Sequence, residues 1–207
     1  MFQASTKKLL LLIIFSISSL LNAEDFQPGK HYQILAEPIA TRDSKKIEVI
    51  EFFWFGCGHC FSLENQLNTW EEQLSDDIDF WRSPITWNEM AKTHAKLFYA
   101  AEFFKKPGII RDTFLSIHAN QRMMTSDKEL KPFFASFGIA EDQYQSLFNS
   151  FAMQNKIRRA DTFGLKYEIR GVPAFIVNGK YKVSASREVG TSELLEVVDY
   201  LINLERK

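Results

Sequence analysis

The chain has 207 residues, 25 basic and 26 acidic side chains, a formal net charge of −1, and 45% hydrophobic residues, with 19 phenylalanines among its aromatics. A charge this mild argues for neither a nucleic-acid partner nor an anionic lipid surface, because each selects a dense basic face. The length suits one well-buried core with room for an inserted subdomain.

From the N-terminus, residues 1–23 read as an export signal rather than as fold. Lys7 and Lys8 form a basic start, Leu9 to Leu21 is an uncharged apolar stretch, and Leu21-Asn22-Ala23 offers a small residue for cleavage before Glu24. The apolar stretch is short of the roughly 20 residues of a membrane-spanning helix, and an uncleaved anchor is the alternative. Export places the protein in an oxidising compartment. Cleavage removes two lysines and no acids, leaving 184 residues with a charge of −3.

Lys45 to Phe55 runs from a charged start into a continuous apolar stretch, the pattern of a buried strand. Cys57-Gly58-His59-Cys60 follows, and Leu63, Leu67, Trp70 and Leu74 then recur at helical spacing, so a helix begins at or within the cysteine motif. Asp79 to Trp87 predicts a second strand. Residues 88–164 are helical in pattern, with a break at Pro107-Gly108 and capping-box spacing at Ser126-Asp127-Lys128-Glu129. Gly138 and Gly164 stop successive helices. The aromatic stripe of this block, Phe133, Phe134, Tyr144, Phe148 and Phe151 among others, reads as core, since helical spacing alone accounts for it.

Strand character returns at Ala174 to Val177. Asn178-Gly179 is a two-residue hairpin signal leading into Lys180 to Val183. Thr191-Ser192-Glu193 opens a last amphipathic helix with Leu194, Leu195, Val198, Leu201 and Leu204 inward. The result is an α/β sheet split by a helical insertion: 24–87 as the first part of the sheet domain, 88–164 as the insertion, 165–207 as the second part.

A Cys-x-x-Cys where a buried strand turns into a helix is the layout of a dithiol redox centre. A disulfide between residues this close shuts almost no loop, so its entropic effect on stability is small and a chemical role is favoured. Cys57 falls at the start of the helix, where unpaired backbone N–H groups and the helix dipole lower a thiol pKa. Cys57 is therefore expected as the nucleophile and Cys60, one turn inside, as the resolving thiol. His59 can donate to the Cys57 thiolate or add positive charge beside it. The alternative, half of a zinc site, needs two more donors. No other cysteine exists, and His31, His94 and His118 lack ligand spacing, so no metal is assigned.

Gly171-Val172-Pro173 precedes an apolar strand, where proline suits a strand entrance or a cis turn. The whole arrangement resembles the thioredoxin superfamily, whose cis-proline loop faces the Cys-x-x-Cys. That likeness implies that Val172 and Pro173 offer backbone to an extended substrate segment.

Gly29-Lys30-His31-Tyr32, Glu51-Phe52-Phe53, Cys57-Gly58-His59-Cys60, Arg170 to Ala174 and Val177 to Tyr181, taken with the export signal, are similar as a set to the DsbA-type periplasmic thiol:disulfide interchange proteins. The resemblance implies a thioredoxin fold with an inserted helical subdomain and a periplasmic location. It implies donation of the Cys57–Cys60 disulfide to reduced, unfolded exported proteins, with reoxidation by a DsbB-type membrane quinone reductase. It implies no bound cofactor. Gly58 departs from the proline of the best-known members and matches the dipeptide of protein disulfide isomerases. A somewhat weaker oxidant is expected, and a reduction potential of about −120 mV would reject that.

Glu51 is an isolated charge in an apolar strand, on the face of Phe53 and Phe55. Its match to a family acid implies a buried proton acceptor near Cys60; a carboxylate reaching water is the alternative. Glu64 also matches a family acid but is expected on the helix surface. Trp54, Phe55, Phe61 and Val172 are expected to help form an apolar surface that holds unfolded chains. Arg158-Arg159 is assigned no site. An isomerase or reductase using the same dithiol is the second reading, and a metal-binding module the third. No dimerisation segment is visible, so a monomer is expected.

Overall fold

The computed structural model describes residues 26–207. The export signal expected at 1–23 lies outside the described residues. Twelve strands and helices follow in chain order: β1 Gln33–Ile34, β2 Ile47–Phe53, α1 Gly58–Glu72, β3 Ile78–Pro84, α2 Glu89–Phe103, α3 Gly108–His118, α4 Asp127–Ser136, α5 Glu141–Asn149, α6 Phe151–Lys166, β4 Ala174–Val177, β5 Tyr181–Ser184 and α7 Leu194–Glu205. A 3₁₀ turn at Thr191–Glu193 leads into α7.

The sheet has the order β1-β5-β4-β2-β3, with β2 parallel to β3 and antiparallel to β4. β2 is central and buried along almost its whole length, as its unbroken apolar run requires. The parallel register sets Glu51 directly beside Arg82. Five helices, α2 to α6, intervene between β3 and β4. Asn88 caps α2, its side chain accepting from the Ala91 N–H at 2.9 Å. At the start of α4 the Glu129 carboxylate accepts from the Ser126 hydroxyl and N–H, as the capping-box spacing predicts.

Hydrophobic residues collect on both faces of the sheet. Val49, Leu63, Leu67, Phe175, Val198 and Leu201 join β2 and β4 to α1 and α7. Ile50, Phe52, Tyr167, Ile169 and Ile176 fill the opposite face under α6. A third cluster ties Phe53 and Phe55 to Leu97, Phe114, Phe134 and Tyr144, so the insertion packs directly on the strand that leads to the cysteines. Each such large apolar side chain contributes about 1.5–3 kcal/mol by leaving water.

Three local expectations change. The β4–β5 connection has three residues rather than two, because Val177 pairs with Tyr181. Asn178 and Gly179 still take positive φ, and a Cβ on Gly179 would lie 1.9 Å from the Ile39 carbonyl oxygen, so only glycine fits. α6 continues through Gly164 to Lys166, because helix packing outweighs the roughly 1 kcal/mol that an interior glycine costs. Phe151, counted in the core stripe, is 72% exposed and lies beneath the Arg158 guanidinium. It is the first residue of its helix, where the stripe has no facing element.

Candidate redox site

β2 ends at Phe53, and the chain turns through Trp54 to Gly56 before α1 starts at Gly58. Gly56 is required here: a Cβ would lie 2.4 Å from the Trp54 ring. Cys57 is the N-cap of α1, in extended conformation, and its N–H donates to the Trp54 carbonyl at 3.0 Å. Its Sγ meets the Cys60 N–H at 3.5 Å and donates to the Val172 carbonyl at 3.3 Å. The Val172–Pro173 peptide is cis. The fold thus brings together Cys57, Cys60, Val172 and Pro173 from two segments more than 100 residues apart.

The two thiols experience opposite environments. Cys57 is half-buried, and its pKa is lowered to about 6. The Cys60 thiol, donating to it, is the largest cause; the backbone N–H groups of Cys60 and His59 and the His59 charge add to this, against partial burial. Cys60 is only 1% exposed. Burial pushes its pKa up, with the Cys57 sulfur and the Glu51 charge acting in the same direction.

Beneath Cys60 lies a buried ionic cluster. Glu51 is fully buried and accepts from Arg82 Nε at 2.5 Å, while its other oxygen has no hydrogen-bond partner among the described residues. Arg82 is shared: its Nη atoms reach the Glu64 carboxylate at 3.0 and 2.9 Å, and its guanidinium lies 4.3 Å over the Phe53 ring. Burial raises Glu51 to about 7 and Glu64 adds to the rise, although Arg82 opposes both. The expectation for Glu64 is overturned. It is 7% exposed and paired, because the helix face of Cys60 and Leu63 also turns Glu64 toward the sheet. Arg82 escaped the sequence reading. A lone arginine in a strand carries no signal until the parallel register sets it beside Glu51.

The His59 ring is exposed and hydrogen-bonds Thr191 Oγ1 at 3.2 Å, so its link to Cys57 runs through its backbone N–H and its charge. His118, at the end of α3, also proves to be close: its Nε2 donates to the Phe55 carbonyl at 2.7 Å and its ring stacks on Phe61 at 4.7 Å. His31 and His94 are engaged elsewhere, with Gln27 and Met123. Trp54, Phe61 and Val172 are partly exposed around Cys57. Phe55 is not part of that surface: it is 1% exposed and packs edge-on against Phe114.

A dithiol with one accessible, acidified sulfur and one buried sulfur has the asymmetry that thiol–disulfide exchange uses. The comparisons with known proteins point the same way. The DSBA-like thioredoxin domain family matches residues 62–199, beginning just past Cys60. The chain is 32% identical over 208 residues to the thiol:disulfide interchange protein DsbA of Pseudomonas aeruginosa, covering 97% of each protein. It is 34% identical to the Pseudomonas syringae pv. tomato protein of the same name, covering 89% of this chain and 86% of the other. The crystal structure of Pseudomonas aeruginosa DsbA superposes with a TM-score of 0.82 at 32% identity, over 89% of this chain and 96% of that one. The Xylella fastidiosa DsbA structure gives 0.78 at 25% identity, over 87% and 98%. The five-stranded sheet and its helices are accordingly a thioredoxin fold with an inserted helical subdomain. A likeness that runs through sheet, insertion and most of the sequence leaves one assignment: the chain belongs to the DsbA-like thioredoxin family.

Proposed function

We propose that this protein is a periplasmic thiol:disulfide oxidoreductase that donates its Cys57–Cys60 disulfide to exported proteins as they fold. A client thiolate attacks Cys57 Sγ, a bond forms between the client sulfur and Cys57, and the Cys57–Cys60 bond breaks with its electron pair passing to Cys60. Cys60 takes up a proton, for which Glu51 is the nearby acid. A second client thiolate then attacks the client sulfur of the mixed disulfide, and Cys57 leaves as a thiolate. The client gains a disulfide and the enzyme ends as a dithiol. A thiol of low pKa is the better leaving group, which favours this direction.

The observation that carries the reading is the opposed setting of the two thiols, Cys57 acidified at the helix start and Cys60 buried. Val172 and Pro173, beside Cys57, present backbone to an extended client segment. His59 supports the thiolate. Partners of matching chemistry are reduced, unfolded exported chains and a DsbB-type quinone reductase that restores the disulfide. The protein acts as a monomer, with residues 24–87 and 165–207 carrying the site and 88–164 roofing it. No helix among the described residues is long and apolar enough to cross a membrane.

Gly58 supports the second reading, an isomerase or reductase. Equilibration with glutathione separates the two. A potential near −120 mV supports disulfide donation, and about −180 mV or below shifts the role to reshuffling or reduction.

A further inference from the structure

A second site lies apart from the cysteines. A cavity of about 550 Å³ opens along the free edge of β3, between the sheet, α2 and α6. Neither cysteine lines it, nor do His59, Val172 or Pro173. Its size falls in the range of pockets that hold small organic ligands.

Three properties of its wall define the ligand. Phe98, Ile110, Ala160 and Phe163 give an apolar interior. Ser83 is 1% exposed, and its hydroxyl finds no hydrogen-bond partner. Such a group is costly to bury unless something supplies the bond. The neighbouring Tyr99 hydroxyl likewise makes no hydrogen bond within the described residues, although the side chain is 8% exposed.

The charges at the mouth are unbalanced. Glu48 accepts from the Trp81 indole, Glu102 is paired with Lys156, and Arg42 is paired with Asp79. Arg82 is taken by Glu51 and Glu64. Lys105 and Arg159 line the same cavity with no ion-pair partner among the described residues. Arg159 is close enough for its charge to act on the Tyr99 hydroxyl. Glu102 is therefore neutralised and Glu48 is held by the indole inside the wall, while Lys105 and Arg159 are the cations left over at the mouth.

We propose that this cavity binds a small amphipathic anion, an aromatic or aliphatic body with one carboxylate, whose head pairs with Arg159 and Lys105 and whose body enters past Ser83 and Tyr99. The Arg158-Arg159 pair thus divides: Arg158 lies over Phe151 outside, and Arg159 faces the cavity.

The test is a ¹⁵N NMR titration of the oxidised protein with 4-phenylbutyrate, beside its uncharged amide, 4-phenylbutanamide. Saturable shifts are expected at the Trp81 indole N–H and the Ala101 and Ala160 amides, with the amide compound binding about tenfold more weakly. Arg159→Gln alters an exposed side chain and leaves the fold intact; it should weaken binding by about three- to tenfold. Ser83→Ala should weaken it by about threefold with glutathione exchange unchanged. No saturation by about 10 mM, equal affinity for acid and amide, or shifts confined to Gly58 and Val172 would each overturn the proposal.

Discussion

The lip and the floor of the redox centre, one helical turn apart, treat the same functional group in opposite ways. At the lip, Cys57 is half-buried and surrounded by donors, namely two backbone N–H groups and the Cys60 thiol, all of which favour a thiolate. At the floor, Cys60 has lost its water and meets the Glu51 charge, and both effects favour the neutral thiol. Burial and hydrogen-bond supply set this division. An N-cap side chain takes N–H groups that the helix itself does not use; one turn later a smaller backbone bond, to Trp54, is outweighed by burial. The floor extends to Glu51, whose burial, with the Glu64 charge beside it, holds its proton to about pH 7 although the shared Arg82 opposes this.

The severest way to break the comparison is to remove each thiol separately. Cys57→Ala should reduce exchange with a thiol peptide by on the order of 10³-fold or more, with no adduct formed. Cys60→Ala has no disulfide to donate, yet its Cys57 thiolate should still attack a peptide disulfide and hold a lasting adduct that no second enzyme thiol resolves. Because the Cys60 thiol is the largest cause of Cys57 acidity, the Cys57 pKa in that variant should climb from about 6 toward its ordinary value. Thiolate absorbance against pH measures it, and an unchanged titration would show that the lip is independent of the floor.

Glu51→Gln addresses the floor alone. A carboxyl raised from 4.5 to about 7 stabilises the fold below pH 4.5, and that contribution disappears as the pH rises through 7. The variant should therefore gain on the wild type by about 3 kcal/mol between pH 4.5 and 7, levelling off above. Urea unfolding of both reduced proteins across that range checks it. Parallel pH profiles would mean that Glu51 is already ionised.

The lip has the opposite sign. A Cys57 pKa depressed to about 6 stabilises the reduced fold at pH above 9, and that gain is lost as the pH falls through 6. Half-exposure reduces its size to about 2 kcal/mol. In the oxidised protein, which lacks the thiolate, the effect should be absent. The potential should accordingly fall by about 60 mV per pH unit below pH 6 and by about 30 mV above it, since one of two protons is then no longer taken up.

Gly58→Pro is the gentlest probe. Gly58 is the first residue of α1, a Cβ there meets nothing within 4 Å, and Cys57 already has the extended backbone that proline demands of its predecessor. None of the three donors to the Cys57 sulfur belongs to Gly58. We expect a gain of about 0.4–1 kcal/mol with little change in thiolate titration, and melting curves of both redox states measure it. A large titration shift would mean that turn stiffness, rather than donor supply, sets the lip.

How much of this was legible in the sequence differs from lip to floor. The lip depends on local chemistry: a buried apolar run, a cysteine at its end and helical spacing after it place Cys57 at a helix start, and Gly138 and Ser126 mark helix boundaries for equally local reasons. Glu51 was legible as a charge out of place, but not its partner. Glu64 resembled a surface residue because helical spacing shows which residues share a face, and not what a face covers. Arg82 and His118 carried no signal, since a strand arginine or an isolated histidine gains meaning only from what is packed beside it.

By itself the sequence determined the order of strands and helices from β2 onward and the place of the dithiol at a helix start, because backbone propensity, apolar periodicity and helix capping act over a few neighbouring residues. Tertiary structure decided what brings distant segments together: Val172 against Cys57, Arg82 between two acids through the β2–β3 register, and a cavity on the edge of β3 with a serine left unbonded. Those contacts depend on register and burial, which arise only when the sheet closes and water leaves.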